Sequence, residues 1–264
     1  MANVVQYLGN VYILEESPGY LREVRKYADL VRSTHCGRTL FRHVNSKPKW
    51  MLIIPFHWQQ DGRANAYAFP RNESNADAYA PGHVSRTTTV DLGRFGKLEL
   101  PIEFGTGKGS VVYVKYHPAT WNEYIRRKGG YIGPGSGPGE ILFHEMVHGL
   151  RMQAGLLRVR DKVADEQDMD NVEEFHSIFA ANVYRSERGF SKMRADHHGF
   201  KPVSGSLDNG GVYYEHYKEL IDKWFTEQRG LCLDMARAPA KFNPFRHAAV
   251  ELGLMPGPAT SMTL

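Results

Sequence analysis

The sequence predicts a single α+β domain over residues 1–264, in which a mixed sheet from the first half packs against two central helices. Three observations carry that prediction. Short β-branched or alternating runs fill the chain as far as position 116, a glycine- and proline-rich break occupies 129–139, and helical spacing of apolar residues takes over from 140.

Residues 4–14 read as one or two strands, and Pro18-Gly19 introduces a helix over 20–32 with Leu21, Val24, Tyr27 and Val31 on one side. The apolar run 50–56 is too brief for a helix and stops at a proline, so it reads as a buried strand, whereas the polar stretch 59–82 reads as loop. Between 84 and 116 the runs VSRTTTVDL, KLELPIEF and SVVYVKYH, separated by glycines, predict three strands of the sheet. GGYIGPGSGPG then delivers the backbone to a helix over 140–153. A second helix over 172–187 carries Phe175, Ile178, Phe179 and Val183 at helical spacing and ends at Gly189. Two more helices, over 213–228 and 234–252, close the chain before a loose terminal GPATSMTL.

Composition is that of an ordinary globular protein, with 42% hydrophobic and 23% charged residues. The net charge of +4 is scattered among nearly as many acids as bases, which argues against nucleic acid as a partner. Cys36 and Cys232 are too few for a disulfide framework. Gln6, Tyr7, Gly9 and Asn10 interrupt the opening residues, so no ordinary secretory signal is visible, and no apolar run approaches the length of a membrane span; the expectation is a chain made in the cytoplasm, with no membrane partner.

The segment EILFHEMVHGLR concentrates the chemistry. On a helix, residues four apart lie about 40° apart around the axis, so His144 and His148 can aim their imidazoles at one point. Zinc accepts such a pair, and Glu145 beside it can take a proton from a metal-activated water. Ile141, Leu142, Val147 and Leu150 make the rest of the helix apolar, where imidazole and carboxylate groups need partners. A catalytic zinc also needs a third protein ligand. The extended metzincin pattern fails, because Arg151 and Ala154 occupy its glycine and histidine positions. Glu173 and Glu174 on the following helix are the remaining candidates. Glu174 is preferred, since the small Ser177, Ala181 and Asn182 on its side permit close helix approach; Glu173 is then a carboxylate behind an imidazole.

HEMVHG followed by EEFHS resembles the glutamate-zincins, in which H-E-x-x-H is completed by a glutamate on the next helix. The doubled acid and the glycine-rich approach are most similar to bacterial effector and toxin metallopeptidases, including the NleD-like effectors and the metallopeptidase domains attached to secretion-spike proteins. Residues 110–200 carry the likeness and the flanking parts carry none. It implies a zincin-like fold, one zinc ion held by His144, His148 and Glu174, a protein or peptide substrate, and secretion or delivery into a target cell, with secretion machinery or a cognate inhibitor as partners.

Zincins also set a hydrogen-bond donor against the oxyanion of the attacked carbonyl. The candidates are His197, His198 and Tyr184, with His198 preferred and Tyr184 second. The expected activity is hydrolysis of a peptide bond. Its rivals are a non-enzymatic binding protein with a structural zinc or none, and an amidase of cell-wall peptides using the same zinc site. GTGKGS lacks the final Ser or Thr of a phosphate loop and reads as a turn, and His35, His43, His57, His83 and His117 stand alone and read as structural.

Overall fold

In the computed structural model, which describes residues 3–56, 66–78, 84–91, 97–103, 105–163 and 169–257, strands β1 (Asn3–Leu8) and β2 (Val11–Glu15) pair antiparallel. The chain then crosses through α1 (Pro18–Arg32) and α2 (His35–Asn45) to β3 (Met51–Ile54), which lies parallel to β2. Ser17 and Thr34 cap the two helices by accepting hydrogen bonds from the backbone N–H groups of Tyr20 and Gly37. The second helix is absent from the sequence prediction: its histidines, glycine and threonine weaken the helical signal, and its burial of Cys36, Leu40, Phe41 and Val44 supplies what local propensity does not.

The stretch 59–82 is corrected in part. It contains β4 (Ala66–Pro70) and a one-turn helix, α3 (Glu73–Ala76). AYAFP is short and alanine-rich, and it becomes a strand by pairing antiparallel with β7 (Val112–Tyr116). The three strands expected between 84 and 116 also divide differently. β5 (Val84–Asp91) and β6 (Lys97–Glu103) form their own antiparallel ribbon, and only β7 joins the main sheet. That sheet has the order β1-β2-β3-β7-β4 and is mixed, with β3 and β7 parallel and β4 the outer strand. The expectations for His57, His83, residues 59–65 and 79–82, and 258–264 fall outside the described residues.

After α4 (Pro118–Arg127), a helix that the sequence reading also lacks, the glycine-rich connection is pinned from both sides. The Trp121 indole donates to the Ser136 carbonyl at 2.7 Å and the Tyr116 hydroxyl to the Pro138 carbonyl at 2.9 Å. These bonds set the start of α5 (Pro138–Gln153), which is buried on every face and lies against the sheet. Gly149 makes the close approach possible, since a Cβ there would stand 2.5 Å from Met51 Cε.

Helix α6 (Val172–Glu187) packs beside α5, capped by the Asn171 side chain. The chain closes with α7 (Gly210–His216), α8 (Lys218–Ala236) and α9 (Pro244–Glu251). The predicted pair 213–228 and 234–252 thus becomes three helices, with α8 running on through a bend at Gln228. The described residues form an α+β fold with a mixed sheet and nine helices. Among them no helix is long and apolar enough to cross a membrane.

Candidate metal centre

Six polar side chains of α5 are buried: Glu140, His144, Glu145, His148, Arg151 and Gln153. Each must find a partner or destabilise the fold. Glu140 pairs with Arg185 and accepts from the Gly137 N–H at 2.9 Å, Gln153 donates to the Lys49 carbonyl at 2.8 Å, and Arg151 donates to Glu173 at 2.8 Å. That leaves His144, Glu145 and His148, the three residues of the motif, turned toward a common cavity.

The imidazoles of His144 and His148 meet edge to face, with their Nε2 atoms 3.0 Å apart. Two ring nitrogens at that separation cannot both point protons at each other, so at least one of them presents a lone pair. Glu174 completes a triangle, its two carboxylate oxygens lying 3.3 Å from His144 Nε2 and 3.4 Å from His148 Nε2. Bonds of about 2.0–2.1 Å in a tetrahedral metal site put neighbouring donor atoms about 3.3–3.4 Å apart, close to the two imidazole–carboxylate distances and a little more than the 3.0 Å between the imidazole nitrogens. His144, His148 and Glu174 therefore form a buried group that can hold a metal ion.

The three groups set one another's charge in the metal-free cluster. Burial raises the pKa of Glu174, but the two histidines outweigh it and hold the carboxyl well below its ordinary value. Burial, with His148 beside it, pushes His144 down to about 3. Burial would depress His148 as well, yet the Glu174 and Glu173 carboxylates raise it above the ordinary imidazole value. With His148 Nε2 aimed at the shared point, its Nδ1–H donates to Ser177 Oγ at 2.9 Å and faces Glu173 Oε1 at 3.3 Å.

Glu173 is thus not a member of the triangle but the carboxylate behind one of its imidazoles. Burial raises its pKa, while Arg151 and His148 hold it below the ordinary value. Arg151 and Glu173 are 0% and 1% exposed. Replacing Arg151 by methionine leaves that carboxylate buried without its cation, and the expected loss of stability is about 3–5 kcal/mol. Urea unfolding of the single and of the Arg151→Met/Glu173→Gln double variant checks this: the double variant should recover part of the loss, and an unchanged single variant would count against the pair.

Glu145 stands outside the triangle in the same cavity, of about 520 Å³, lined also by Ala66 and Ala68 of the outer strand β4. Burial pushes its carboxyl up to about 7, opposed by His148 and by a hydrogen bond with the Ala68 backbone. A carboxyl near neutrality can both accept and return a proton at working pH.

The two donor candidates of the loop separate. His198 is 78% exposed at the mouth, where its Nε2 lies 3.1 Å from Asp170. His197 is the one directed inward. Its Nδ1 binds Asp170 Oδ2 at 2.6 Å, and its Nε2 reaches within 3.4 Å of Glu174 Oε2. Tyr184 does not line the cavity; at about 1.5 Å rise per residue it lies about 15 Å beyond Glu174 along α6, stacked on Phe143. His43 pairs with Asp234 and His117 caps α4, both structural as expected.

Sequence reasoning missed Asp170, Arg194 and the β4 wall of the cavity. The pairing of Asp170 with the histidine cluster crosses a loop and a helix, and no periodic signal announces it. No protein-family model matches the chain, and no curated protein matches it.

Proposed function

We propose that the chain is a zinc-dependent peptidase of zincin-like architecture, with one zinc held by His144, His148 and Glu174. The observation that supports this reading is the convergence of the two imidazole Nε2 atoms, 3.0 Å apart, with the two Glu174 carboxylate oxygens, each 3.3–3.4 Å from one of them, opening onto a cavity that also contains Glu145. Two imidazoles and a carboxylate suit zinc, and three protein ligands leave a position for water, whereas a structural zinc is closed by four. The same donor set also suits iron in oxygenases; the buried glutamate beside it is what favours hydrolysis.

When bound by His144, His148 and Glu174, zinc would supply Lewis acidity for water activation near neutral pH. Glu145 takes a proton from the attacking water and hands it to the leaving amine. The outer strand β4 offers a backbone edge along which an extended peptide can lie across the cavity. His197, oriented by Asp170, donates from Nε2 to the oxyanion that develops on the scissile carbonyl. The resemblance to effector and toxin metallopeptidases extends the proposal to a bacterial protein acting on another protein, with secretion machinery or an inhibitor as a partner.

Two measurements test this. Zinc-loaded protein incubated with a mixture of denatured proteins should generate new termini by mass spectrometry, lose that activity to a chelator and regain it with zinc; zinc-loaded protein that cuts nothing argues for the binding-protein alternative. For the donor, His197→Ala should lower kcat by about 10²–10³-fold with little change in KM, and His198→Ala by far less. Equal effects of the two variants would return the role to the loop as a whole.

A further inference from the structure

Among the described residues three arginines are buried, and two of them have carboxylate partners: Arg151 has Glu173 and Arg185 has Glu140. The third does not. Arg194 is 4% exposed, lines the cavity with His144, Glu145, His148 and Glu174, and among the described residues has no carboxylate within 4.0 Å. Burial lowers its pKa, and Glu174, Asp196, Glu145 and Glu140, which act on it only through space, oppose that shift without cancelling it.

The site around it is built with care for position. The Asn182 side chain clamps the Arg194 backbone from both directions, accepting from its N–H at 2.7 Å and donating to its carbonyl at 2.8 Å. The guanidinium carbon lies 4.3 Å from the centre of the Phe200 ring. Gly135 leaves room for the aliphatic stem, since a Cβ there would stand 2.8 Å from Arg194 Cδ. Of the five N–H donors of a guanidinium, Nε–H is spent on the Asp196 carbonyl at 2.6 Å and one on Nη2 on the His197 carbonyl. Both acceptors are neutral backbone carbonyls, so the remaining N–H donors are left for a ligand.

We infer that Arg194 binds a carboxylate of the substrate, so that the peptide cut carries a negative charge beside the scissile bond. The inference rests on the peptidase reading. Planar guanidinium and planar carboxylate match as a two-bond fork, and the pair is strongest where water is excluded. The carboxylate is either the α-carboxylate of a chain end or the side chain of Asp or Glu. Ile141, Met152, Leu157 and Phe200 in the same wall suit an apolar neighbour of that group.

The test compares three short acetylated peptides of one sequence: a neutral amide, the same peptide as free acid, and an amide with one internal glutamate. Binding to the full, zinc-loaded chain is measured by calorimetry for wild type, Arg194→Gln and Arg194→Lys, with metal content and circular dichroism recorded for each. One acidic peptide should bind wild type about tenfold to hundredfold more tightly than the neutral amide, a preference that disappears in Arg194→Gln. Which acidic peptide gains identifies the source of the carboxylate.

If Arg194→Gln does not fold, Arg194→Lys decides, because lysine lacks the fork and should lose most of the preference. Equal binding of all three peptides, or a preference that survives in folded Arg194 variants, overturns the inference. Arg194-dependent binding without cleavage of any peptide keeps the carboxylate site and removes the peptidase reading. Cleavage with no carboxylate preference does the reverse.

Discussion

Glu145→Gln should retain a full complement of metal and lower peptide hydrolysis by about 10²–10⁴-fold, the range that a positioned general base supplies. Metal is retained because Glu145 is not one of the three converging ligands. Glutamine has the same shape and can keep the hydrogen bond with the Ala68 backbone, so the cavity wall is preserved. The same variant has a pH signature in the metal-free protein. The folded-state pKa of Glu145 is raised from 4.5 to about 7, so the folded state holds this proton more tightly than the unfolded chain does. Wild-type stability therefore falls as pH rises from about 4.5 to about 7 through this group, and Glu145→Gln removes that part of the fall. Below about 4.5 the two proteins should be equally stable and above about 7 the variant should be the more stable, as read by thermal melts across the range. A variant that loses its metal, or retains its turnover, contradicts the role.

Glu174→Ala should remove most of the metal affinity, and Glu173→Gln far less. Apparent zinc binding energies of about 10–16 kcal/mol shared over four ligands put one ligand at about 2.5–4 kcal/mol, or about 10²–10³-fold in affinity. Glu173 acts only through His148, and groups in that position change affinity by about 10–100-fold. Competition against a chromogenic chelator measures both. The reverse order would make Glu173 the ligand, in spite of the 3.3 and 3.4 Å distances that put Glu174 against both imidazoles.

The contrast between the two glutamates shows what could be read without coordinates. H-E-x-x-H packs two donors and a base into five residues of one helix, where the helical repeat alone decides that the histidines share a face. Glu174 was legible at one remove, because Ser177 and Ala181 on its side of α6 are small enough for α5 to come near. Beyond one helix and its neighbour the sequence loses resolution. β4 becomes a strand only through β7, and its alanines carry no strand signal of their own. His197 and His198 are adjacent and chemically identical, and only the fold of the loop turns one toward Glu174 and leaves the other in solvent. Tyr184 shares a helix with Glu174 but lies too far along it to reach the cavity. That no carboxylate comes within 4.0 Å of Arg194 among the described residues depends on the whole fold, which no local pattern records.

The central claim is that three side chains from two adjacent helices share one ion and leave it open to solvent. X-ray absorption at the metal edge of the purified protein tests it most directly. The expected spectrum is that of one zinc per chain with two imidazole nitrogens, one carboxylate and at least one exchangeable water oxygen, reduced by one nitrogen ligand in His144→Ala. A protein that takes up no metal, or one whose zinc has four protein ligands and no water, would contradict the claim.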